Sequence, residues 1–466
     1  MGHLPNNEPE HLPRDAGSTV TEVASAPRLR TALKGTRGLA VNGGALMINV
    51  FVSGIGGFAF WIIAARSADP AVVARASAMV TSILGVTTLS QQSLVVNLPI
   101  LIAGSPRPRR VAGHAYLAAL AITVVTSSIY LAIGTRVASG LTYLSNARLA
   151  AVFILGSVMW SIFSLQDAVL TGLRRGRTVL VENTIWAGLR LLLLIALPVA
   201  GLELGVGWIV GTWLIPATLL VAVITWYLFV MSRSPLRRPR GDVRLHRRSL
   251  FAFLGVEHLG ALTNGLVQIV TPAVALTALG AEAAAPFLAA YSLLVVTEVA
   301  MGTFSGAFAV EVRRKGTASR NMIGFTCVLL GTICLLAIVG AQFFGDDFMG
   351  LFGPQYREPG GAVLAILVFG LPATSLRVLS SAANRLRQAG WKNFAQHGTY
   401  AVVLFLCYAI GDIHTARSLA LCLVIARYAS AAVSLQNLRD LRANRGFASS
   451  RTTSPWPPPW RPPSAV

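Results

Sequence analysis

Charge is the first thing this sequence is short of. Asp, Glu, Lys and Arg make up 12% of its 466 residues, about half of the ~25% of an average soluble domain. That excludes an ordinary water-exposed surface. Acid is scarcer than base, 18 residues against 39, for a net charge of +21. Cysteine is limited to Cys327, Cys334, Cys407 and Cys422, all inside apolar segments, which excludes a disulfide framework and a cysteine metal centre. His258 and His397 stand alone and no metal-ligand spacing occurs, so no metal or other cofactor is expected. No phosphate-cradling glycine loop is present, so ATP bound to this chain is not the driving force. Residues 1–38 lack the apolar core of a signal peptide. The outer connectors are short, whereas a membrane glycosyltransferase or polymerase needs an acidic catalytic loop there. The chain reads as a non-enzyme.

What the sequence does have is long apolar runs. Hydrophobic residues make up 54% and the mean hydropathy is +0.64. A pI of about 11.2 raises the thought of nucleic acid. The basic residues, however, sit in short connectors between apolar segments, which is how membrane orientation is written, and nucleic acid is set aside. The stretch 231–250, MSRSPLRRPRGDVRLHRRSL, carries seven arginines and two prolines and no apolar run. About six apolar segments of spanning length lie on each side of it. The first set is 39–65, 76–103, 111–134, 149–171, 179–200 and 205–230; the second is 251–279, 283–309, 322–344, 361–381, 395–412 and 418–435. The segments 76–103 and 251–279 are long for one crossing and are expected to tilt or to extend beyond the bilayer.

An alternating twelve-span arrangement places every basic cluster on one side. These are the N-terminal tail, Arg107–Arg110, Arg174–Arg177, the 231–250 connector, Arg313–Arg320, Arg385–Lys392 and the C-terminal tail. Both termini are therefore expected in the cytoplasm of a multi-pass plasma-membrane protein. The expected organisation is a disordered cytoplasmic tail (1–38), a six-helix lobe (39–230), the basic inter-lobe loop (231–250), a second six-helix lobe (251–435) and a basic, Pro-rich cytoplasmic tail (436–466). Two six-span halves share one orientation and can be related by an axis along the membrane normal.

The stretch GGFAFWIIAARSADPAVVARASAMVTSILGVTTLSQQSLVVNLP, Gly56 to Pro99, resembles the first two helices of bacterial Wzx-like polysaccharide-biosynthesis flippases, relatives of the MATE exporters within the MOP exporter superfamily. The features that carry the resemblance are the Gly- and aromatic-rich helix ending at Ala65–Arg66, the short turn, the Ala/Ser-rich second helix and Asn97–Pro99. TPAVALTALGAEAAAPFLAAYSLL, Thr271 to Leu294, echoes it in the second half. The motifs are diffuse, although the likeness runs over nearly the whole apolar length. The resemblance implies an all-α polytopic fold: about twelve transmembrane helices in two lobes around a central cavity, working by alternating access. It also implies a cargo of prenyl-pyrophosphate-linked oligosaccharide, moved from the inner to the outer leaflet. Membrane lipids are then partners, and the Pro-rich tail, SPWPPPWRPPSAV, is either a spacer or a ligand for polysaccharide-assembly proteins.

Polar residues inside spans must face protein or water. Thr81, Gly85, Thr88 and Gln92 form a stripe of helical period, and Glu257, Ala261, Asn264 and Gln268 form another with the same spacing. Asn49 lies on a similar face of the first span, with Ser53 and Gly56. Two readings stand: helix–helix packing through small residues and amides, or the lining of a hydrated cavity by Asn49, Gln92, Asn264 and Gln268. Arg190 lies mid-span, either in a structural ion pair or as a cation for pyrophosphate. Arg427 is a second candidate for the cavity. Glu257 and Glu298 are candidates for a coupling proton or sodium site, or partners of Arg190. Arg377 is expected about a turn from the cytoplasmic end, snorkelling outward. Asp167 and Glu182 are expected solvated at inner helix ends, and Asp346 and Asp347 in the loop before the tenth span. Two other functions compete with the glycolipid flippase: cation-coupled export of small drugs, and a non-transporting scaffold of a glycan-synthesis complex.

Overall fold

A computed structural model describes residues 48–49, 52–105, 107–173, 175–231, 247–315, 320–387, 389–411 and 413–443. The whole of the expected N-terminal tail (1–38), residues 232–246 of the basic connector and residues 444–466 of the expected C-terminal tail lie outside them. In order, the helices are α1 (Val52–Ser67), α2 (Pro70–Gly104), α3 (Pro108–Val137), α4 (Ala147–Gly172), α5 (Gly176–Val199), α6 (Val206–Trp226), α7 (Arg247–Leu279), α8 (Ala281–Lys315), α9 (Arg320–Gly350), α10 (Pro354–Leu367), α11 (Leu371–Leu386), α12 (Gly390–Ile410) and α13 (Ala416–Ala443). Among the described residues ten helices are long and apolar enough to cross a membrane, with α10 and α11 joined as one rod, Pro354–Leu386. Ten of the twelve expected spans coincide with rods of this set; 39–65 overlaps the shorter α1, its residues 39–47 lying outside the described residues, and 395–412 overlaps α12, which is not among the ten.

The turns are written locally. Asp69 accepts a hydrogen bond from the Ala71 amide at 2.8 Å, with Pro70 in the first helical position; that is a strong start signal for α2. Asn146 caps α4 in the same way through the amides of Arg148 and Leu149. Gly201 and Gly280 have φ of 75° and 76°, the left-handed residue that closes α5 and α7. A short 3-10 turn at Val368–Gly370 separates α10 from α11, and Pro372 follows it, where a missing amide hydrogen costs least.

The first half is built around α2, which packs on α3, α4 and α6, with α5 on α4 and α6. In the second half α7 packs on α12, and α8 on α10 and α11, with α13 against α11 and α12. The halves meet chiefly where α2 lies along α7. Gly85 and Gly265 make that approach possible. A Cβ on Gly85 would run into Ile269, and one on Gly265 would lie 2.7 Å from Leu89 and 3.0 Å from the Gly85 carbonyl, the close-contact packing of small residues between spanning helices. Helices α3 and α9 are peripheral, with only 17% of their apolar windows buried. Their exposed Leu117, Val125, Ile133, Leu335 and Phe343 form a surface only lipid solvates well.

At the end opposite the basic loops the halves are shut against each other. Arg66 Nε donates to the Leu351 carbonyl at 2.7 Å, and Phe58 packs on Phe348 and Phe352 with ring centroids 5.2 and 5.5 Å apart. On the α2–α7 side of the same end, the Gly140 amide donates to Thr277 Oγ1 at 3.2 Å. Asp346 and Asp347 are in the last turn of α9, not in a loop, because that helix runs to Gly350; Asp347 pairs with Arg357 at 2.6 Å on the surface.

Candidate functional site

Asn183, Trp186, Ala187 and Arg190 share one face of α5 and are all buried. Arg190 sits roughly 20 Å from the Gly176 end at about 1.5 Å per residue. Its guanidinium lies over the Trp186 ring, 3.8 Å from the centroid, and 5.6 Å from that of Phe60 on α1. Glycine on α1 makes room for it: a Cβ on Gly56 would lie 3.3 Å from Nη2, and one on Gly57 3.6 Å. Arg190 is 3% exposed, and its Nε and Nη2 have no hydrogen-bond partner. Among the described residues no carboxylate pairs with it; Glu257, one of its two candidate partners, has its side chain outside them. Ser53 Oγ on α1 and Asn49 Oδ1, just before that helix, are also buried and unpartnered. The α1–α5 seam thus holds donors and acceptors that do not satisfy each other.

The second half gathers a different cluster. Glu298 of α8 accepts from Arg427 Nε at 2.8 Å and from Thr374 Oγ1 at 2.9 Å, and Arg377 Nη2 is 4.0 Å away. Arg427 is 1% exposed and fits because Gly370 has no side chain: a Cβ there would lie 2.7 Å from Arg427 Cδ. Arg377 does not snorkel. It is 9% exposed, with Nη1 3.5 Å from His397 Nδ1 and the guanidinium 5.4 Å from the Tyr400 ring. Glu298 is therefore the shared counter-ion of two arginines, and the Arg190 partnership proposed for it is not made. Arg427 Nη1 and Arg377 Nε remain unpartnered, leaving one surplus positive charge. The α7 backbone includes Glu257, but its side chain lies outside the described residues.

The two polar stripes are brought together, as a packed seam. Thr88 donates to Gln268 Oε1 at 3.3 Å, directly beside the Gly85–Ile269 contact. Gln92 and Asn264 are half-buried along the same faces. Gln91, which sequence reasoning passed over, is 1% exposed and exchanges hydrogen bonds with Ser161 on α4. Glu182 is not solvated, being 2% exposed; Asp167 is half-buried and accepts from Asn183 Nδ2 at 3.1 Å.

No family model matches this chain, and no curated protein does. Solved structures do. The chain is similar to the inward-facing conformation of a multidrug-resistance MATE family transporter of the MOP superfamily, with TM-score 0.60 and 16% identity over 84% of this chain and 95% of that one. It is also similar to an outward-facing MATE family transporter of the MOP superfamily, with TM-score 0.53 and 16% identity over 87% and 96%. A third is a MOP superfamily transporter from Pyrococcus furiosus, described as having a binding pocket of reverse polarity that suggests a different function. That likeness has TM-score 0.54 and 16% identity over 87% of this chain and 96% of that one. The chain has the all-helical MATE-like transporter fold.

Proposed function

We propose that this chain is an alternating-access membrane transporter that moves a prenyl-pyrophosphate-linked oligosaccharide from the inner to the outer leaflet for cell-surface polysaccharide. The observation that carries this reading is Arg190, deep in α5 with two unpartnered donor atoms and, among the described residues, no carboxylate against it. A guanidinium near mid-bilayer is costly, and its planar fork matches the oxygens of a phosphate. The prenyl tail stays in lipid while the charged head crosses between the halves. The end holding Arg66 and Leu351 is closed, so this state takes its cargo from the basic, cytoplasmic end.

The test is reconstitution in vesicles with a fluorescent polyprenyl-pyrophosphate glycan in one leaflet. Wild type should equilibrate the lipid across the leaflets. Arg190→Ala should be inactive although inserted, and Arg190→Lys strongly slowed because the charge stays and the fork is lost. Normal flipping by Arg190→Ala would remove the head-group role. One observation favours a second reading, export of small organic cations: the acids Glu182, which is buried, and Asp167, which is half-buried. In that case Glu182→Gln abolishes efflux of a cationic dye while Arg190→Ala spares it.

A further inference from the structure

A cavity of about 570 Å³ lies against the α2–α7 seam, away from Arg190. Its walls come from both halves. The first half supplies Leu89 of α2, Ile133 of α3 and Leu141 of the short turn after α3; the second supplies Ile269 and Ala273 of α7 and Ile413, just before α13. The cavity is thus continuous with the interface that Gly85 and Gly265 bring into close contact.

It opens onto lipid. Ile129, Ile133 and Val137 on α3 and Leu266 on α7 line it and are exposed, and both helices are of spanning length. Three of its residues carry a polar side chain, and each is already engaged. The Tyr130 hydroxyl is bonded to Ser82 Oγ at 2.9 Å. Thr126 donates to the Ile122 carbonyl at 2.9 Å, and Thr277 Oγ1 accepts from the Gly140 amide at 3.2 Å. A wall this apolar does not hold water. Left empty, a void of this size forfeits the packing of its whole lining. A hydrocarbon chain suits it.

Length selects the chain. The groove runs along α3 from Thr126 to Val137 and along α7 from Leu266 to Ala278, roughly 17–18 Å at about 1.5 Å per residue. That is about half of a ~30 Å hydrocarbon core, the depth that the acyl chains of one leaflet fill. A polyprenyl chain is much longer and would leave most of its length outside. The leaflet is the one opposite the basic loops, because both stretches lie in the second halves of their helices. Charge agrees: Arg136, next to Val137, and Arg417, just past Ile413, are exposed at that end, where guanidinium groups meet a lipid phosphate.

We propose that this groove binds one acyl chain of a membrane phospholipid between the two halves, and that its occupancy favours the state closed at the end opposite the basic loops. A ligand shifts a conformational equilibrium towards the state it binds better. The groove needs α3 and α7 at their present separation, and that separation accompanies the Gly140–Thr277 bond at its end and the Arg66–Leu351 contact across the same end of the molecule. The cargo has no part in this argument.

The experiment uses the full chain in phosphatidylcholine nanodiscs that contain a little phosphatidylglycerol with a diazirine in mid-chain. After illumination, cross-linked peptides are identified by mass spectrometry. Cross-links to 126–141 and 266–278 should exceed those at the equally exposed Leu335 and Phe343 of α9 severalfold and saturate at about one lipid per chain. Ile133→Trp and Val270→Trp fill the groove and should remove that excess while sparing α9; either variant suffices if the other fails to fold. Hydrogen exchange of 350–356, at the closed end but remote from the groove, is then followed in lipid-stripped micelles. Added phosphatidylglycerol should slow it severalfold in the wild type and leave it unchanged in the filled variants. Cross-links that follow exposure alone, or exchange at 350–356 that ignores phospholipid in the wild type, overturn the proposal.

Discussion

Replacing Glu298 with Gln removes one negative charge and almost no volume, and leaves Arg427 at 1% exposure with no anion. Breaking a buried pair by removing one partner costs about 3–5 kcal/mol. The Glu298 side chain keeps 17% of its surface exposed, so some water reaches the site and the low end, about 3 kcal/mol, applies. Arg427→Met should cost less, because Glu298 still has Arg377 at 4.0 Å and the methionine fills much of the same space. The double variant should be less unstable than the two losses added, by about 1–3 kcal/mol. It will not recover fully, since Arg377 then has only His397 and Tyr400 beside it.

The measurement is equilibrium unfolding in mixed micelles of the wild type, both single variants and the double. A loss below about 1 kcal/mol for Glu298→Gln, the level of an exposed pair, refutes the structural pairing. Strict additivity in the double refutes it too. Glu298 would then return as a candidate for carrying an ion.

Three further outcomes are expected. Gly85→Ala drives a methyl group into Ile269 at the α2–α7 seam and should cost about 1–3 kcal/mol, whereas Gly188→Ala, which meets nothing within 4 Å, should stay within about 0.5 kcal/mol; equal effects at both positions would contradict the close seam. Arg66→Ala removes the 2.7 Å contact to the Leu351 carbonyl, and a cysteine at Phe352 should then react severalfold faster with a water-soluble maleimide; an unchanged rate means the contact does not hold that end shut. Cysteines at Asp242 and Asp346 should be labelled from opposite sides of the membrane, Asp242 from the cytoplasm, and labelling of both from one side breaks the alternating arrangement.

The helices were legible because the bilayer leaves the chain few options. An apolar run of about 20 residues with its backbone unsatisfied has no stable place in lipid except as a helix, and the stops between runs are strong: Asp69–Pro70, Asn146, Gly201 and Gly280. What the sequence left open was length. Expected spans 76–103 and 283–309 became α2 (Pro70–Gly104) and α8 (Ala281–Lys315), because polar residues past the hydrocarbon edge continue a helix wherever other helices cover them. The α2 and α7 stripes were visible as a repeat of period and spacing. Their partner was not, since a row of Gly, Thr and Gln suits a wet cavity and a tight seam equally. Only the approach of Gly85 to Ile269 and of Thr88 to Gln268 decides between them.

Ionisable residues were harder to place, for a reason the same geometry supplies. Distance from a span's end stands in for burial when only the sequence is read, and it fails wherever the end is misjudged or neighbours cover it. Arg377 lay about one turn from the end of the expected span 361–381, yet α11 continues to Leu386, which puts it roughly 14 Å from that end, beyond comfortable snorkelling. Asp167 and Glu182 are near helix ends in fact as in expectation, yet Glu182 is 2% exposed, because the packing of α5 on α4 and α6 covers it. Arg190 was found by depth alone, being too far from either end to reach water. Its surroundings are the sharper lesson. The sequence offers carboxylates enough to neutralise every buried arginine, and among the described residues the fold assigns them unevenly: Glu298 serves two arginines, Arg190 is left with aromatic rings and a glycine notch, and Asp167 and Glu182 have no ion-pair partner. Charge mismatches of opposite sign within one six-helix half are expensive in lipid. Each mismatch is costly on its own, so Arg190→Met and Glu182→Gln should each raise the unfolding midpoint in mixed micelles, and an unchanged or lowered midpoint in both would contradict the unpaired placement.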